Sequence, residues 1–447
     1  QVCRAARIHP SVHRLDSRRT GCHRDRDLDL AGDPIRSQPL PVAGMAPGQC
    51  VPWRLGLVQE ALAILPPMTR TLLHLTWDSP DNPCCGGGGA FRDYRILERL
   101  SGWDREVWSG RHTNGSKSPA GVVRTDFGIG VFGEFVSRRT WGPAASRALR
   151  RKLSDRSIVV SHSVSPWAPV WETLRHQDRI LNVIHHVAGD EILCRLGPFG
   201  PSSLCYEQRT IAEGRFFSLS NRATAAKVRE VNPNARIELI PIGFDPPSFA
   251  PPASRDGRPH DTIVFLGRLD HRMKGLDRLF AAFGKVASVN ERARLVVAGR
   301  ADRSMDSWIC NELSKHPARD RIEIVPNPTD ERKYQVLDEG DIFCVPSRFE
   351  GWCIAAVEAQ SRGLPVVATR TDGLQDSVSD CCTGMLVSNS ESDAVDALVA
   401  SLLALLADRH LRSTMGAAAI AWANRFTWDA ATRSTETFLD EIRQTLV

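Results

Sequence analysis

Long apolar runs are missing from this chain. The best candidate, residues 397–407 (ALVASLLALLA), stops well short of the roughly 18–20 residues a bilayer-spanning helix needs, and it reads as a core helix. The visible sequence shows no segment with a basic start, an apolar centre and a small-residue cleavage site, so no secretory leader is expected. Lysine is scarce, with seven among 57 basic residues. The arginines that replace it are scattered among acids and the formal charge is only +5. That bias points to a GC-rich bacterial genome rather than to a nucleic-acid partner.

Metal and disulfide signatures are lacking too. The twelve cysteines include the neighbours Cys84 with Cys85 and Cys381 with Cys382, but no CxxC and no zinc spacing. A chain of 447 residues needs no disulfide staples, so reduced thiols in a cytoplasmic protein are expected. Without an export signal, the sequon at Asn114, Gly115 and Ser116 is expected to be idle. The glycines from Gly86 to Gly89 are not followed by Lys-Ser or Lys-Thr and lack G-x-G-x-x-G spacing, which argues against kinase and dehydrogenase chemistry.

What is present is enough chain for two domains and an extension, at an ordinary 42% hydrophobic and 24% charged. Residues 1–67 are rich in Arg, Asp, His and Pro and carry no helix or strand period. We expect them to be disordered, or to be upstream sequence ahead of a native start at Met68. From Met68 onward, short apolar strands alternate with helices: 72–77, 158–161, 180–184, 215–219 and 237–240, with a helix around 91–100. Non-alternating apolar strands between helices indicate a parallel sheet covered on both faces. A proline-rich stretch, DPPSFAPPASRDGRPH, interrupts the pattern, and the alternation then restarts at TIVFL. The expected fold is therefore α/β, with two doubly wound Rossmann-like domains facing a cleft. The boundaries are 68–247 for the first domain, 248–260 for a hinge, 261–425 for the second domain and 426–447 for a last helix returning to the first.

Two places carry chemistry. In TIVFLGRLDHRMKG, Arg268 stands at the carboxyl end of a buried strand and Lys274 opens the next helix. Together a planar fork and a point charge suit a diphosphate, and a pair of solvated surface cations is the competing reading. In FEGWCIAAVEAQ, Gly351 removes a side chain where a ligand comes close, and the first free N–H groups of a helix, at Trp352 and Cys353, make an anion site. Glu350 and Glu358 lie roughly 12 Å apart along that helix, on about the same side. That is the span from a sugar, across a diphosphate, to a ribose. Alternatively, Glu350 only favours a helix N-terminus. Glu358, among alanines and valine, needs a partner if buried.

The order GRL…KG, PSRFEGWCIAAVEAQSRGLPVVAT and DGLQDSV…TGMLV resembles the retaining glycosyltransferases of family four, which have the GT-B fold and the signature E-x7-E, here Glu350 and Glu358. The likeness runs back through FFSLSNRATAAKVRE and IELIPIGFD to the strand, glycine run and helix at 72–100. The resemblance implies a transferase that moves a sugar from a nucleotide-diphosphate sugar to an acceptor hydroxyl with retention. No cofactor and no metal are implied, the nucleotide sugar being a co-substrate. It further implies that Arg268 and Lys274 bind the diphosphate, that Glu350 contacts the donor sugar and Glu358 the ribose, and that the amides of Gly351, Trp352 and Cys353 position sugar and phosphate. Gly87 and Gly88 would let the first loop approach the donor. His185, at the end of ILNVIH, would face the sugar, with His186 as the alternative.

Details depart from the family pattern: Ile242-Gly243 for Asn-Gly, Asp372-Gly373 for Gly-Gly, Asp376 for Glu, and Pro326-Asn327-Pro328 for a glycine turn. A nucleotide-sugar epimerase of the same fold and a catalytically silent nucleotide-sugar-binding protein are the alternatives. The acceptor is open among saccharide, lipid and natural product. The basic segment 132–153 is either a peripheral contact with the inner face of a membrane or a solvated helix face.

Overall fold

The computed structural model describes residues 70–446 apart from residues 81, 83–86, 113–116, 156, 254, 256 and 302. The expected extension at 1–67, the start at Met68, Cys84, Cys85, Gly86 and the sequon at Asn114 lie outside the described residues.

The first domain runs β1 (Thr71–Leu75), α1 (Gly88–Arg99), β2 (Asp104–Gly110), β3 (Val123–Phe127), α2 (Glu134–Lys152), β4 (Ile158–Ser163), β5 (Ile180–Ile184), α3 (Glu191–Leu196), α4 (Gly200–Glu213), β6 (Phe216–Leu219), α5 (Arg222–Val231) and β7 (Arg236–Leu239). Its strands form one parallel sheet in the order β3-β2-β1-β4-β5-β6-β7. The second domain runs β8 (Asp261–Leu266), α6 (Leu276–Val289), β9 (Ala293–Gly299), α7 (Arg303–Lys315), β10 (Ile322–Pro326), α8 (Asp330–Glu339), β11 (Ile342–Val345), α9 (Ile354–Ser361), β12 (Val366–Thr369), α10 (Leu374–Ser377), β13 (Gly384–Val387), α11 (Ala394–Ala407) and α12 (Arg409–Ala423). Its sheet, also parallel, has the order β10-β9-β8-β11-β12-β13. That is the doubly wound arrangement, with the order reversing beside β8, so the carboxyl end of β8 opens on a crevice. No helix among the described residues is long and apolar enough to cross a membrane.

The apolar strand runs explain the layers. In β8, Ile263 and Phe265 enter the core on one face of the sheet, while Val264 and Leu266 enter the core on the other. A strand buried on both sides must be apolar at every position, which is why its sequence does not alternate. β2 and β3 were not expected from the sequence. They read DREVWSG and VRTDF: β3 is the edge strand and only half-buried, and β2, next to it, is open only at its start, where its charged side chains lie.

The chain crosses between domains twice. After α12 it returns as α13 (Trp428–Gln444), whose Ala431, Phe438, Leu439 and Ile442 share a core with Leu72, Leu97, Val107 and Leu181 of the first domain. The two crossings touch. Phe244 forms a parallel bridge with Thr427, and its N–H donates to the Phe426 carbonyl at 3.1 Å. A Cβ on Gly243 would lie 2.5 Å from the Trp428 nitrogen. The described residues of the stretch 248–260 are docked rather than loose. The buried Arg362 donates to the carbonyls of Phe249 and Ala250 at 2.9 and 2.7 Å, and Arg255 and Arg258 reach the carbonyls that end α8. Prolines bring carbonyls without N–H donors, so the donors come from arginine.

Candidate active site

A cavity of about 890 Å³ lies between the two domains and is bordered by both. On the first-domain side, Gly87 caps α1, and Gly87, Gly88 and Gly89 line the wall. Space is tight here, most of all at Gly89. A Cβ on Gly88 would come 3.3 Å from Ile354 Cδ1, and one on Gly89 would come 2.7 Å from the His185 ring. The unpaired N–H groups of the α1 N-terminus therefore face the cavity without side chains in the way.

His185 follows directly on β5. Its Nε2 lies 3.5 Å from Ser163 Oγ and 4.0 Å from Asp93 Oδ1. Burial pushes its pKa down to about 4, so the ring is neutral near pH 7. His186 is exposed and also lines the cavity. Both histidines of the pair border the site.

On the second-domain side, Arg268 is exposed and borders the cavity at the end of β8. Lys274 Nζ lies 2.6 Å from Glu350 Oε1, which also accepts from Ser347 Oγ at 3.0 Å. Burial alone would lower the Lys274 pKa, but the Glu350 carboxylate outweighs it and the net shift is upward. Lys274 is therefore a fixed cation. Gly275 shapes this turn at φ 71°, and a Cβ there would strike the Pro346 carbonyl at 2.2 Å.

The FEGWCIAAVEAQ stretch differs from expectation in two ways. The helix begins at Ile354, not Trp352, and Cys353 takes the left-handed N-cap conformation at φ 77°. Trp352 is held off the helix because its ring is buried edge-on against Phe426, centroids 5.1 Å apart. The helix-end N–H groups expected at Trp352 and Cys353 thus fall to Ile354 and Ala355, which line the cavity alongside them. Secondly, Gly351 is small because of the protein itself. A Cβ there would lie 2.6 Å from the His185 carbonyl oxygen, and the Gly351 carbonyl accepts from Ser220 Oγ and Asn221 Nδ2 at 3.2 and 2.8 Å. Gly351 is where the two domains meet.

Glu358 does have a partner. Lys333 of α8 donates to its Oε1 at 2.8 Å, and both side chains line the cavity. Burial pushes the Glu358 pKa up, and Lys333 offsets part of that rise. Sequence reasoning missed Lys333. Its rarity, one of only seven lysines, was the available signal. The departures around Asp372 and Asp376 also acquire partners: Lys227 Nζ sits 2.6 Å from Asp372 Oδ2, and both the amide and the guanidinium of Arg222 reach Asp376 at 2.5 Å. Both acids bridge to α5 of the first domain. In the unusual turn after β10, Asn327 adopts φ 48°, a conformation asparagine tolerates better than most residues, and its N–H donates to the Gly299 carbonyl at 2.7 Å. No group of three His, Cys, Asp or Glu among the described residues is arranged to hold a metal.

Residues 253–422 match the family model for glycosyl transferases group 1. A phosphatidyl-myo-inositol mannosyltransferase of Mycobacterium tuberculosis is 31% identical over 299 residues, covering 66% of this chain and 76% of that protein. The chain belongs to the group 1 glycosyltransferases. A second relative, a D-inositol 3-phosphate glycosyltransferase of Segniliparus rotundus, is 32% identical over 240 residues. That match covers 50% of this chain, and the chain spans 53% of the relative's length. In fold, this family member is similar to sucrose-phosphate synthase from Thermosynechococcus elongatus, with a TM-score of 0.68 at 20% identity over 83% of this chain and 98% of the other. It is also similar to Anabaena HepE in complex with UDP and glucose, with a TM-score of 0.61 at 16% identity over 83% and 99%. The GT-B architecture and the family-four likeness expected from the sequence both hold.

Proposed function

We propose that this protein transfers a sugar from a nucleotide-diphosphate sugar to an acceptor hydroxyl, with retention and without a metal. The observation that carries this reading is that Arg268, Lys274, Glu350 and Glu358, distant in sequence, border one cavity at the carboxyl ends of the strands. Arg268 and Lys274 supply the positive charge that a departing diphosphate needs. Glu350, already tied to Lys274, accepts hydrogen bonds from sugar hydroxyls, and Glu358 accepts from the ribose. Amides at residues 351–355 and at the start of α1 orient phosphate and sugar. His185 lies against the sugar from the other domain. In the transfer, the bond from the anomeric carbon to the phosphate oxygen breaks while the acceptor oxygen bonds to that carbon on the same face. The acceptor proton passes to the leaving phosphate oxygen. No protein nucleophile is required.

For the acceptor, an inositol phosphate or its lipid ester is favoured by the similarity to the D-inositol 3-phosphate glycosyltransferase of Segniliparus and the phosphatidyl-myo-inositol mannosyltransferase of Mycobacterium. The lipid form is favoured by the surface at the start of α2. Val131, Phe132, Phe135 and Phe199 are exposed apolar side chains, and the Arg139 guanidinium lies over the Phe135 and Phe199 rings. That patch would rest on the inner face of an anionic membrane, with the enzyme otherwise in the cytoplasm.

The test is acceptor-dependent release of nucleoside diphosphate from UDP-, GDP- and ADP-sugars, with and without chelator. An axial-to-axial or equatorial-to-equatorial outcome by NMR supports retention. Interconversion of free nucleotide sugars would indicate an epimerase, and donor binding without release would indicate a silent binder. Salt-sensitive co-sedimentation with anionic vesicles tests the membrane contact, and its absence removes the lipid argument.

A further inference from the structure

Behind His185 lies a buried polar cluster that the transfer reaction, as described, leaves unused. Asp93 of α1, His74 of β1 and Arg92 of α1 are each no more than 3% exposed. Asp93 sits between two imidazoles: its Oδ2 is 3.3 Å from His74 Nε2, and its Oδ1 is 4.0 Å from His185 Nε2, which also has the Ser163 hydroxyl oxygen, an acceptor of the same proton, at 3.5 Å. Arg92 lies 3.8 Å from Asp93 Oδ1 and donates to Ser218 Oγ at 2.6 Å.

Such a cluster is a poor device for stability. Burial alone would raise the Asp93 pKa, yet His74, His185 and Arg92 hold it at about 2, so it is a buried anion. Asp93 Oδ2 and His74 Nε2 are closed off from solvent and make no aligned hydrogen bond. A well-packed apolar residue would serve the core at least as well. A charge kept there under tension points to a task at the one member of the cluster that borders the cavity, and that member is His185.

We propose that Asp93 is a positioning residue for sugar transfer: its carboxylate holds the His185 imidazole with Nε2 protonated and turned inward, leaving Nδ1 to accept from a hydroxyl of the donor sugar. The inference rests on the reading of His185 as the sugar-facing histidine. A ring's tautomer is set by the hydrogen bond its other nitrogen makes, and an anion facing Nε2 selects the Nε2–H form. At 4.0 Å, Oδ1 and Nε2 stand about 1 Å beyond hydrogen-bond range, a gap that a small rotation of the ring would close. His74 braces the other carboxylate oxygen, and Arg92 supplies the permanent counter-charge. His186, next along the chain, also borders the cavity.

A double-mutant cycle with Asp93→Asn and His185→Asn tests this, with ¹⁵N NMR of the histidines in the full chain at pH 7. Asp93→Asn is expected to lower kcat by about tenfold or more while donor KM stays within about twofold, the effect of a misplaced group rather than a lost binding contact. In the His185→Asn background the same change should cost nothing further. Equal losses in both backgrounds would overturn the proposal, since Asp93 would then act through the fold. If Asp93→Asn fails to fold, the NMR arm still decides: wild-type His185 must show the Nε2–H tautomer, and the Nδ1–H form sinks the idea. Lack of nucleotide release by the wild type with every donor would instead count against the transferase reading and leave the tautomer result standing.

Discussion

Lys333 and Glu358, on different helices, meet nitrogen to oxygen at 2.8 Å on the wall of the cavity. Burial pushes the Glu358 carboxyl up and Lys333 pulls it back, with a net shift upward. If the carboxylate form accepts the ribose hydroxyls, donor affinity is full above the Glu358 pKa and is lost as pH falls through it. Removing Lys333 leaves the burial effect unopposed, so the loss should begin at higher pH. Calorimetric Kd values for nucleoside diphosphates from pH 5 to 8 should show the Lys333→Met curve displaced upward. Superimposable curves would mean that the pair plays no part in donor binding.

Lys274→Met should lower kcat/KM by roughly a hundredfold or more, because it removes a fixed cation from beside the departing diphosphate. It also strands the Glu350 carboxylate, whose side chain is only 8% exposed, so a loss of a few kcal/mol of stability, about 3, is expected as well. Nucleotide release and a urea melt separate the two effects. A rate that survives would refute the diphosphate role.

The Arg222–Asp376 and Lys227–Asp372 pairs tie α5 to the second domain. Arg222 and Lys227 are well exposed, so each pair should contribute less than about 1 kcal/mol. The double variant Asp372→Ala with Asp376→Ala should therefore melt almost as the wild type does but show a larger radius of gyration by X-ray scattering. An unchanged radius would show that the closed arrangement does not depend on these bridges.

Cys353 holds φ 77° although it is not glycine. A side chain in that conformation costs about 1 kcal/mol, which glycine does not incur. Cys353→Gly should therefore be more stable to urea than Cys353→Ala by about that amount. The thiol itself, pushed up by burial, should resist alkylation in the folded protein.

His162 is fully buried, and its pKa falls from an ordinary 6.5 to about 3. The unfolded chain therefore binds a proton here that the folded chain refuses. Stability from the neutral ring is complete above about pH 6.5 and is lost as pH falls toward the folded value, about 2 kcal/mol of it by pH 5. A His162→Gln variant should show a shallower decline of Tm between pH 6.5 and 5. Parallel declines would mean that the imidazole is not the group responsible.

Much of this was legible before the structure. The central strands of both sheets announce themselves because burial on two faces demands unbroken apolar runs, and the E-x7-E spacing marked both acids. The edge strand β3 and its neighbour β2 did not, because the half-exposed β3 and the open start of β2 tolerate the charges seen in VRTDF and DREVWSG. The reason for Gly351 was also out of reach. A glycine beside a ligand and a glycine beside the His185 carbonyl look alike in one dimension, and only the fold shows that a residue far away in sequence occupies the space. Lys333 and Asp93 were hidden for a similar reason: each lies on a helix whose own periodicity gives no hint of what stands opposite.

The bridge between Phe244 and Thr427 binds the two interdomain crossings side by side. Two chain passes fastened together behave like the knuckles of a door. They leave one easy axis of swing and oppose both sliding and twisting. Each time the cavity opens to admit a donor, it should therefore close again in the same register, returning Gly351 to His185 without a search.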